Sequence, residues 1–341
     1  MRPKVIHLID DAKLGGVNLA LASLAASRLK QHFDFQLLHI QLTQLKLTRY
    51  SADIIVVHGA MSWRKIPALL ALKLANSSTP LLYQEHHYCR EFVRHSVAHP
   101  YRFKLMLKLG YALMNKVLAV SNQQADWLVE FGVLVEDKLA RVGQAKEVEP
   151  FIAVAAVKPH SPLRLVAYGR LAKQKGFDLL IQAMASFSEQ EVTLTIAGDG
   201  EDRDMLQQLA KAMPQVTFIG EVDDVPTFLS TADAVVIPSR WEPFGLSCME
   251  SVAAGRHVIL PEIDGLADQI TELRQHQQGD SHGYRQGYEV IESLSVEGIT
   301  QAITRVKNGN CIGINGEQRQ STQYAWQKML ARWQQLLEQY R

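Results

Sequence analysis

The stretch WEPFGLSCMESVAAG, Trp241 to Gly255, sets two glutamates, Glu242 and Glu250, on either side of a Pro-Phe-Gly turn. On a single helix an offset of eight residues would turn them well apart at 3.6 residues per turn. The sequence does not put both on one helix. Pro243 holds the residue before it, Glu242, in extended backbone, and Gly245 tolerates a tight entry. A helix is therefore predicted to start near Gly245 and to carry Glu250, with Glu242 in the mouth of the preceding loop. Between the two carboxylates lie the free N–H groups of a helix start, which suit an anion. Such a clamp fits a ligand with hydroxyls at both ends and phosphate in the middle, which is the chemistry of a nucleotide sugar.

Outward from this stretch, one phrase of strand, loop and helix repeats in both directions. Upstream run LRLVAYG, FDLLIQAMASF, VTLTIAG, DMLQQLAKAM, VTFIG, PTFLSTA and AVVIPS, and downstream comes HVILP. The N-terminal part repeats it with KVIHLI, VNLALASLAASRLKQ, FQLLHIQ, ADIIVVHG, PLLYQEH and KVLAVS. Alternation of this kind predicts parallel sheets covered by helices. The rhythm breaks at EVEPFIAVAAVKPHSP, which holds three prolines and no clear period. The expected architecture is α/β, with two doubly wound Rossmann-like domains, 1–150 and 151–320, facing a central cleft at the C-terminal ends of their strands. STQYAWQKMLARWQQLLEQYR reads as one long amphipathic helix, 321–341.

Composition agrees with a two-domain globular chain. The 341 residues are 47% hydrophobic and 21% charged, with a net charge of +1, which excludes a disordered or nucleic-acid-coating protein. Cys89, Cys248 and Cys311 are far apart with no C-x-x-C, so neither a disulfide framework nor a zinc site is expected, and a reducing cytoplasm is the simplest setting. The first apolar run, VIHLI, is short and enters Asp10-Asp11, so it reads as a buried strand and not as a signal peptide. IPALLALKLA is too short to span a bilayer and carries Lys73.

Further residues bear on the clamp. In VAYGRLAKQKGFDLL a strand ends at Gly169, Arg170 and Lys175 follow in the loop, and Gly176 precedes a helix. The two cations are solvated loop charges if taken alone. Beside the two glutamates they can neutralise a diphosphate, Arg by forked hydrogen bonds and Lys as a point charge. Gly15 and Gly16 sit at the turn after the first strand, where glycine lets backbone come close to a ligand. His86 and His87 lie at the end of a strand. Neighbouring side chains there point opposite ways, so at most one of the two is expected to face a ligand, the alternative being two exposed loop histidines. Asp202-Arg203-Asp204 is a literal Asp-x-Asp, but it falls at a helix start, where capping and the helix dipole favour Asp without any metal. No metal site is expected. The run VRHSVAHPYRFKLMLKLGYALMNK sets Arg94, Arg102, Lys104 and Lys108 among aromatic and aliphatic residues. It reads as a covering helix or as a face lying on anionic lipid, and no nucleic-acid motif accompanies it.

With these residues in hand, the stretch from Leu165 to about Ile270 resembles the retaining glycosyltransferases of family 4, which have the GT-B fold. GRLAKQKGFDLLIQA, IAGDGED, WEPFGLSCMESVAAG and DGLADQI carry the resemblance, and the E-x7-E signature, Glu242 to Glu250, is its most specific part. The N-terminal domain matches more loosely, through Gly15-Gly16, the strand-end histidine and LAVS. The resemblance implies that Glu242 touches hydroxyls of the donor sugar and that Glu250 binds the ribose. The diphosphate would lie against Gly169, Arg170, Lys175 and the backbone of Phe244, Gly245 and Leu246. His86 would contact the transferred sugar, Gly15 and Gly16 would approach the donor phosphate or the acceptor, and the C-terminal helix would cross back to the first domain. The implied reaction retains anomeric configuration, with a nucleoside-diphosphate sugar as co-substrate and no separate cofactor. Its implied acceptor is a glycan or lipid-linked glycan, in bacterial surface polysaccharide or lipopolysaccharide assembly at the inner face of the plasma membrane. A nucleotide-sugar 2-epimerase of the same fold and a non-catalytic nucleotide-sugar-binding subunit are the rival expectations. The chain departs from the family at ARVGQAKEVEPF, where an I-P-N-G-like turn is usual, and in the polar segment from Arg274 to Gly287.

Overall fold

The computed structural model describes residues 2–10, 15–155, 159–276, 287–310 and 313–340. Cys311, the interior of the polar segment that follows Arg274, and residues 156–158 of the proline-rich break lie outside the described residues.

The chain divides into two compact units, Met1–Glu147 with Trp326–Arg341, and Val148–Ala325. The first unit holds strands β1 (Lys4–Ile9), β2 (Asp34–His39), β3 (Ile54–His58), β4 (Leu81–Glu85), β5 (Lys116–Ala119) and β6 (Leu139–Arg141), in the order β2-β1-β3-β4-β5-β6. The second holds β7 (Leu163–Tyr168), β8 (Val192–Ala197), β9 (Val216–Phe218), β10 (Ala234–Val236), β11 (His257–Leu260) and β12 (Tyr288–Val290), in the order β12-β11-β10-β7-β8-β9. Every pairing is parallel. In both units the order reverses beside the first strand, giving a doubly wound Rossmann-like sheet.

Burial explains why the strands read as continuous apolar runs. IIVVH of β3 and LLYQE of β4 are buried at all five positions, because helices cover both faces of a parallel sheet. β2 lies at an edge and none of its residues is fully buried. The core of the first unit gathers Leu8, Ile55, Val57, Leu107, Tyr111 and Leu128. That of the second gathers Leu165, Ala167, Leu180, Ile181, Ile196 and Ile299.

Two elements differ from their sequence reading. VNLALASLAASRLKQ is not one helix. It runs from Gly15 to Ala26 and restarts as a short 3-10 turn, Arg28–Gln31. Ser27 divides it by donating its hydroxyl to Leu24 O at 2.6 Å and accepting from Leu29 N at 3.2 Å, an alternative to the helical ladder. The helix at the C-terminal end spans Gly316–Glu338 and starts ahead of Ser321. In its first part Arg319 donates to Ala253 O at 3.0 Å and to Val154 O at 2.8 Å. In its last part Trp333 is 1% exposed and its ring lies 5.8 Å from that of His7 in β1.

Candidate active site

In the second unit the helix predicted near Gly245 runs from Leu246 to Ala253, with Gly245 as its N-terminal cap residue. Gly245 has φ +93°, a left-handed conformation that side chains resist, and a Cβ there would come within 2.5 Å of Leu266 Cδ2. Glu242 lies in the preceding loop and Glu250 within the helix, and both are buried. The loop is seated on the N-terminus of the next helix, Asp264–Gln275. Glu242 O accepts from Gly265 N at 3.0 Å, and Gln269 Nε2 donates to Phe244 O at 2.7 Å and to Gly245 O at 3.0 Å. The approach is so close that a Cβ on Gly265 would meet Pro243 O at 2.3 Å.

The loop after β7 is laced to the same place. Arg240 N donates to Gln174 O at 2.7 Å, and Gln174 Nε2 donates to Trp241 O at 3.0 Å. The Arg240 guanidinium forks onto Asp178 at 2.7 and 2.6 Å. These bonds bring Lys175 to Glu242, Nζ to Oε2 2.5 Å, with side chains 18% and 10% exposed. Ser239 Oγ donates to the same Oε2 at 3.3 Å. Glu250 is held from below, where Tyr168, the last residue of β7, donates its hydroxyl to Oε2 at 2.7 Å. Burial, and then the Glu250 charge, raise the Tyr168 pKa well above the usual phenol value, so this hydroxyl keeps its proton. Cys248, between the two glutamates, is pushed up to about 12 by burial and then by Glu242, and stays a neutral thiol. Gly169 follows β7 beside Lys175, and Arg170 after it is exposed.

Glu242, Lys175, Phe244, Gly245, Leu246 and Glu250 come together around one helix start. Tyr168, Asp264, Gly265 and Gln269 belong to the same cluster without being predicted as site residues, although the last three lie inside DGLADQI and Tyr168 directly precedes GRLAKQKGFDLLIQA. The available signal was Asp264-Gly265 after the short loop that follows β11, where backbone approaches backbone. Asp264 adopts φ +40°, and its Oδ2 accepts from Glu242 N at 3.3 Å. Asp202 occupies the cap position of the helix Arg203–Ala210, but its side chain makes no capping hydrogen bond, contrary to the capping rationale. Among the described residues no group of three or more His, Cys, Asp or Glu side chains is arranged to hold a metal ion.

In the first unit Gly15 and Gly16 begin an exposed helix N-terminus. His86 follows β4 and is half-buried. Its Nε2 lies 3.0 Å from His58 Nδ1, and its Nδ1 lies 3.2 Å from Gln144 Oε1. The His86 turn is anchored by Glu85, a fully buried carboxyl. Its Oε1 accepts from His87 N at 2.7 Å and Tyr88 N at 3.0 Å, and its Oε2 accepts from Tyr111 OH at 2.6 Å. Burial raises the Glu85 pKa to about 7 against the opposing pull of these bonds.

The basic helix runs from Pro100 to Ala112. Its exposed face carries Tyr101, Leu105 and Leu109 with Arg102 and Lys108. Lys104 does not share that face, because its ammonium lies 5.6 Å from the Phe131 ring. Arg94 pairs with Glu91 at 2.6 Å. Among the described residues no helix is long and apolar enough to cross a membrane.

Comparison with known proteins follows the same division of the chain. A model of the family described as glycosyl transferases group 1 matches residues 149–326. An uncharacterized glycosyltransferase of Methanocaldococcus jannaschii is 41% identical over 108 residues, 30% of this chain and 28% of that protein. The lipopolysaccharide core biosynthesis glycosyltransferase LpsE of Rhizobium meliloti is 38% identical over 104 residues, 30% of each chain. The chain thus spans less than a third of the length of these curated relatives. Among solved structures, Alr3699/HepE of Anabaena in complex with UDP and glucose has a TM-score of 0.71 at 17% identity, covering 99% of both chains. The sucrose-phosphate synthase of Thermosynechococcus elongatus has a TM-score of 0.77 at 18% identity, covering 98% of both. At such identities the likeness is one of fold, and the fold is that of the GT-B glycosyltransferases. With over half of its 341 residues matched by the family model, the chain belongs to the glycosyl transferases group 1 family.

Proposed function

We propose that the protein is a retaining, metal-independent hexosyltransferase that moves a sugar from a nucleoside-diphosphate donor to a glycan or lipid-linked acceptor. The observation that carries this reading is the pair of buried carboxylates, Glu242 and Glu250, at either end of one helix start, with Lys175 held against the first. Glu242 takes the hydroxyls of the donor sugar and Glu250 the ribose. Tyr168 fixes one oxygen of Glu250 and so orients the carboxylate toward its ligand. The diphosphate lies against the N–H groups of Phe244 to Leu246, where the helix dipole favours an anion. Arg170 and Lys175 meet its charge, with Lys175 shared between Glu242 and phosphate. His86 is assigned to the transferred sugar, and Gly15-Gly16 to close approach of backbone to the donor phosphate or acceptor.

In the reaction the bond from the anomeric carbon to the diphosphate oxygen breaks. The acceptor oxygen bonds to the same face of that carbon, and its proton passes to the departing phosphate. Charge grows on the leaving group, and fixed cations and amides already in place stabilise it without reorganisation. The matched lipopolysaccharide core enzyme supports a role in surface polysaccharide assembly. The face of Tyr101, Leu105, Leu109, Arg102 and Lys108 supports contact with an anionic membrane.

A thermal-shift screen against UDP, GDP, ADP, CMP and their sugar conjugates, with and without magnesium, tests the donor site, since a ligand of the folded state raises the melting temperature. One nucleoside diphosphate is expected to stabilise the chain equally in both conditions. Glu242→Ala is expected to lose transfer at least 100-fold while still binding that nucleotide, on the scale of one removed transition-state contact. Full turnover by this variant sinks the assignment. Sugar transfer to an acceptor separates this reading from a 2-epimerase, which would return a C2-inverted sugar nucleotide, and from a binding subunit, which would turn nothing over.

A further inference from the structure

Three histidines of the first unit form a ladder, of which the proposed chemistry uses His86 alone. In the pairing register His7 of β1 lies opposite Val56, and His58 of β3 lies opposite Gln84. Each step to the next strand therefore advances two residues, from Val56 to His58 and from Gln84 to His86. Side chains two apart on a strand share a face, so His7, His58 and His86 climb one face diagonally toward the C-terminal ends of the strands. Phe35 of β2 continues the diagonal downward, since His7 pairs with Leu37. The rings of His7 and Phe35 lie 5.8 Å apart, those of His7 and His58 5.0 Å, and those of His58 and His86 5.3 Å.

The nitrogens connect in series. His7 Nδ1 lies 2.8 Å from His58 Nε2, His58 Nδ1 lies 3.0 Å from His86 Nε2, and His86 Nδ1 lies 3.2 Å from Gln144 Oε1. His7 and His58 are 1% and 0% exposed, and His7 Nε2, at the closed end, has no hydrogen-bond partner. A neutral imidazole has one donor and one acceptor nitrogen, so the bond at one nitrogen dictates the state of the other. Gln144 presents a carbonyl oxygen, which requires His86 to donate from Nδ1. His86 Nε2 then accepts, His58 donates from Nδ1 and accepts at Nε2, and His7 donates from Nδ1. The bare nitrogen left at the closed end is a lone pair, which costs less to bury than an orphan N–H. All three rings are neutral near pH 7. Burial, and then neighbouring His86 charge, lowers the His7 pKa to about 3, and burial, and then His87, lowers that of His86 to about 3.

We propose that His7 and His58 are positioning residues: through them the sheet holds His86 as the Nδ1–H tautomer, so that it donates a hydrogen bond to a sugar oxygen that takes the place of Gln144 Oε1. This rests on the assignment of His86 to the transferred sugar. No proton is transferred in the step. The relay presets which nitrogen carries the proton and prevents the ring from turning over.

The test is long-range 1H–15N correlation of the histidine side chains in the full chain without ligand, with resonances assigned by single substitution. His86 is expected as the Nδ1–H tautomer. His58→Phe, and separately His7→Leu, should convert it to the Nε2–H form or a mixture. His7→Asn keeps a donor where Nδ1 stood and should recover most of what His7→Leu loses. Turnover of UDP-glucose, GDP-mannose or ADP-glucose, whichever the native chain uses, should fall about tenfold in His58→Phe, the scale of one neutral hydrogen bond. A native His86 in the Nε2–H form overturns the proposal. So does a tautomer unchanged in both His58→Phe and His7→Leu, or unchanged turnover despite a shifted tautomer. Normal turnover by His86→Ala, with the native tautomer as expected, would instead remove the assignment of His86 to the sugar.

Discussion

At Glu242 the carboxylate and the Lys175 ammonium meet at 2.5 Å with little access to water. Such a pair contributes modestly to stability while intact, but removal of one partner strands the other charge. Lys175→Ala should therefore destabilise the chain by about 2 kcal/mol, read from the urea midpoint. It should also weaken nucleoside-diphosphate binding at least tenfold more than nucleoside binding. Equal losses for the two ligands would remove the phosphate role. The residues of this pair were legible because two carboxylates and a cation at these spacings have few other reasons to coincide. Tyr168 was not, since a tyrosine ending a strand is chosen by the helix that packs over it, and that partner lies 82 residues away. The histidine ladder divides in the same way. VIH, VVH and QEH stand in plain view in the sequence, but the register that aligns them diagonally exists only once the strands pair.

The strand runs were legible at the level of elements wherever both faces of a strand are covered. β6 and β12 escaped, being three residues long and at sheet edges, whereas β9, equally short and also at an edge, was read because its run VTFIG closes on a glycine. The Glu242 loop depends on an element that the sequence shows only as Asp-Gly, the start of the helix Asp264–Gln275. Gly265→Ala would drive a methyl into Pro243 O, 2.3 Å away. The loop must then lift. Loss of donor binding out of proportion to a destabilisation of about 1–3 kcal/mol is expected, comparing urea midpoints with ligand-induced thermal shifts. Native binding would show that the loop tolerates displacement. The helix Pro100–Ala112 separates cations that the sequence grouped. Arg102→Glu with Lys108→Glu should lower cosedimentation with vesicles containing phosphatidylserine at least tenfold, on a scale of about 1 kcal/mol per charge. Lys104→Ala should have little effect, because that ammonium is engaged over Phe131. Vesicle binding that survives the double substitution removes the membrane contact.

On the scale of the whole molecule, buried titratable groups set the response to pH. The unfolded histidine reference lies near 6.5, and His7, His58 and His86 are all held below it. The native state binds fewer protons than the unfolded chain in this range, so stability is full above pH 6.5 and is lost as the pH falls toward 3. Glu85 acts in the opposite sense. Raised from 4.5 to about 7, it favours the folded state in acid and costs stability as the pH rises through 7. Glu85→Gln retains an acceptor for His87 N and Tyr88 N. It should raise stability at pH 8 by up to about 3 kcal/mol, with most of that gain gone at pH 5. Urea midpoints at pH 5, 6.5 and 8 read both effects, and a gain equal at all three values would refute the titration of Glu85. None of this was legible in advance, because a glutamate at a strand end reads as solvent-facing until the fold buries it.

The assignment of Trp326–Arg341 to the first unit has a consequence in time. Translation runs from the N-terminal to the C-terminal side, so the whole of Val148–Ala325 is synthesised before Trp333 can reach the ring of His7. The second unit can complete its core while the first, although translated earlier, still waits for one wall. During that interval the face of β1 that carries the histidine ladder lacks its indole cover. The unit whose larger part is translated earlier thus closes its core only after the other has been made.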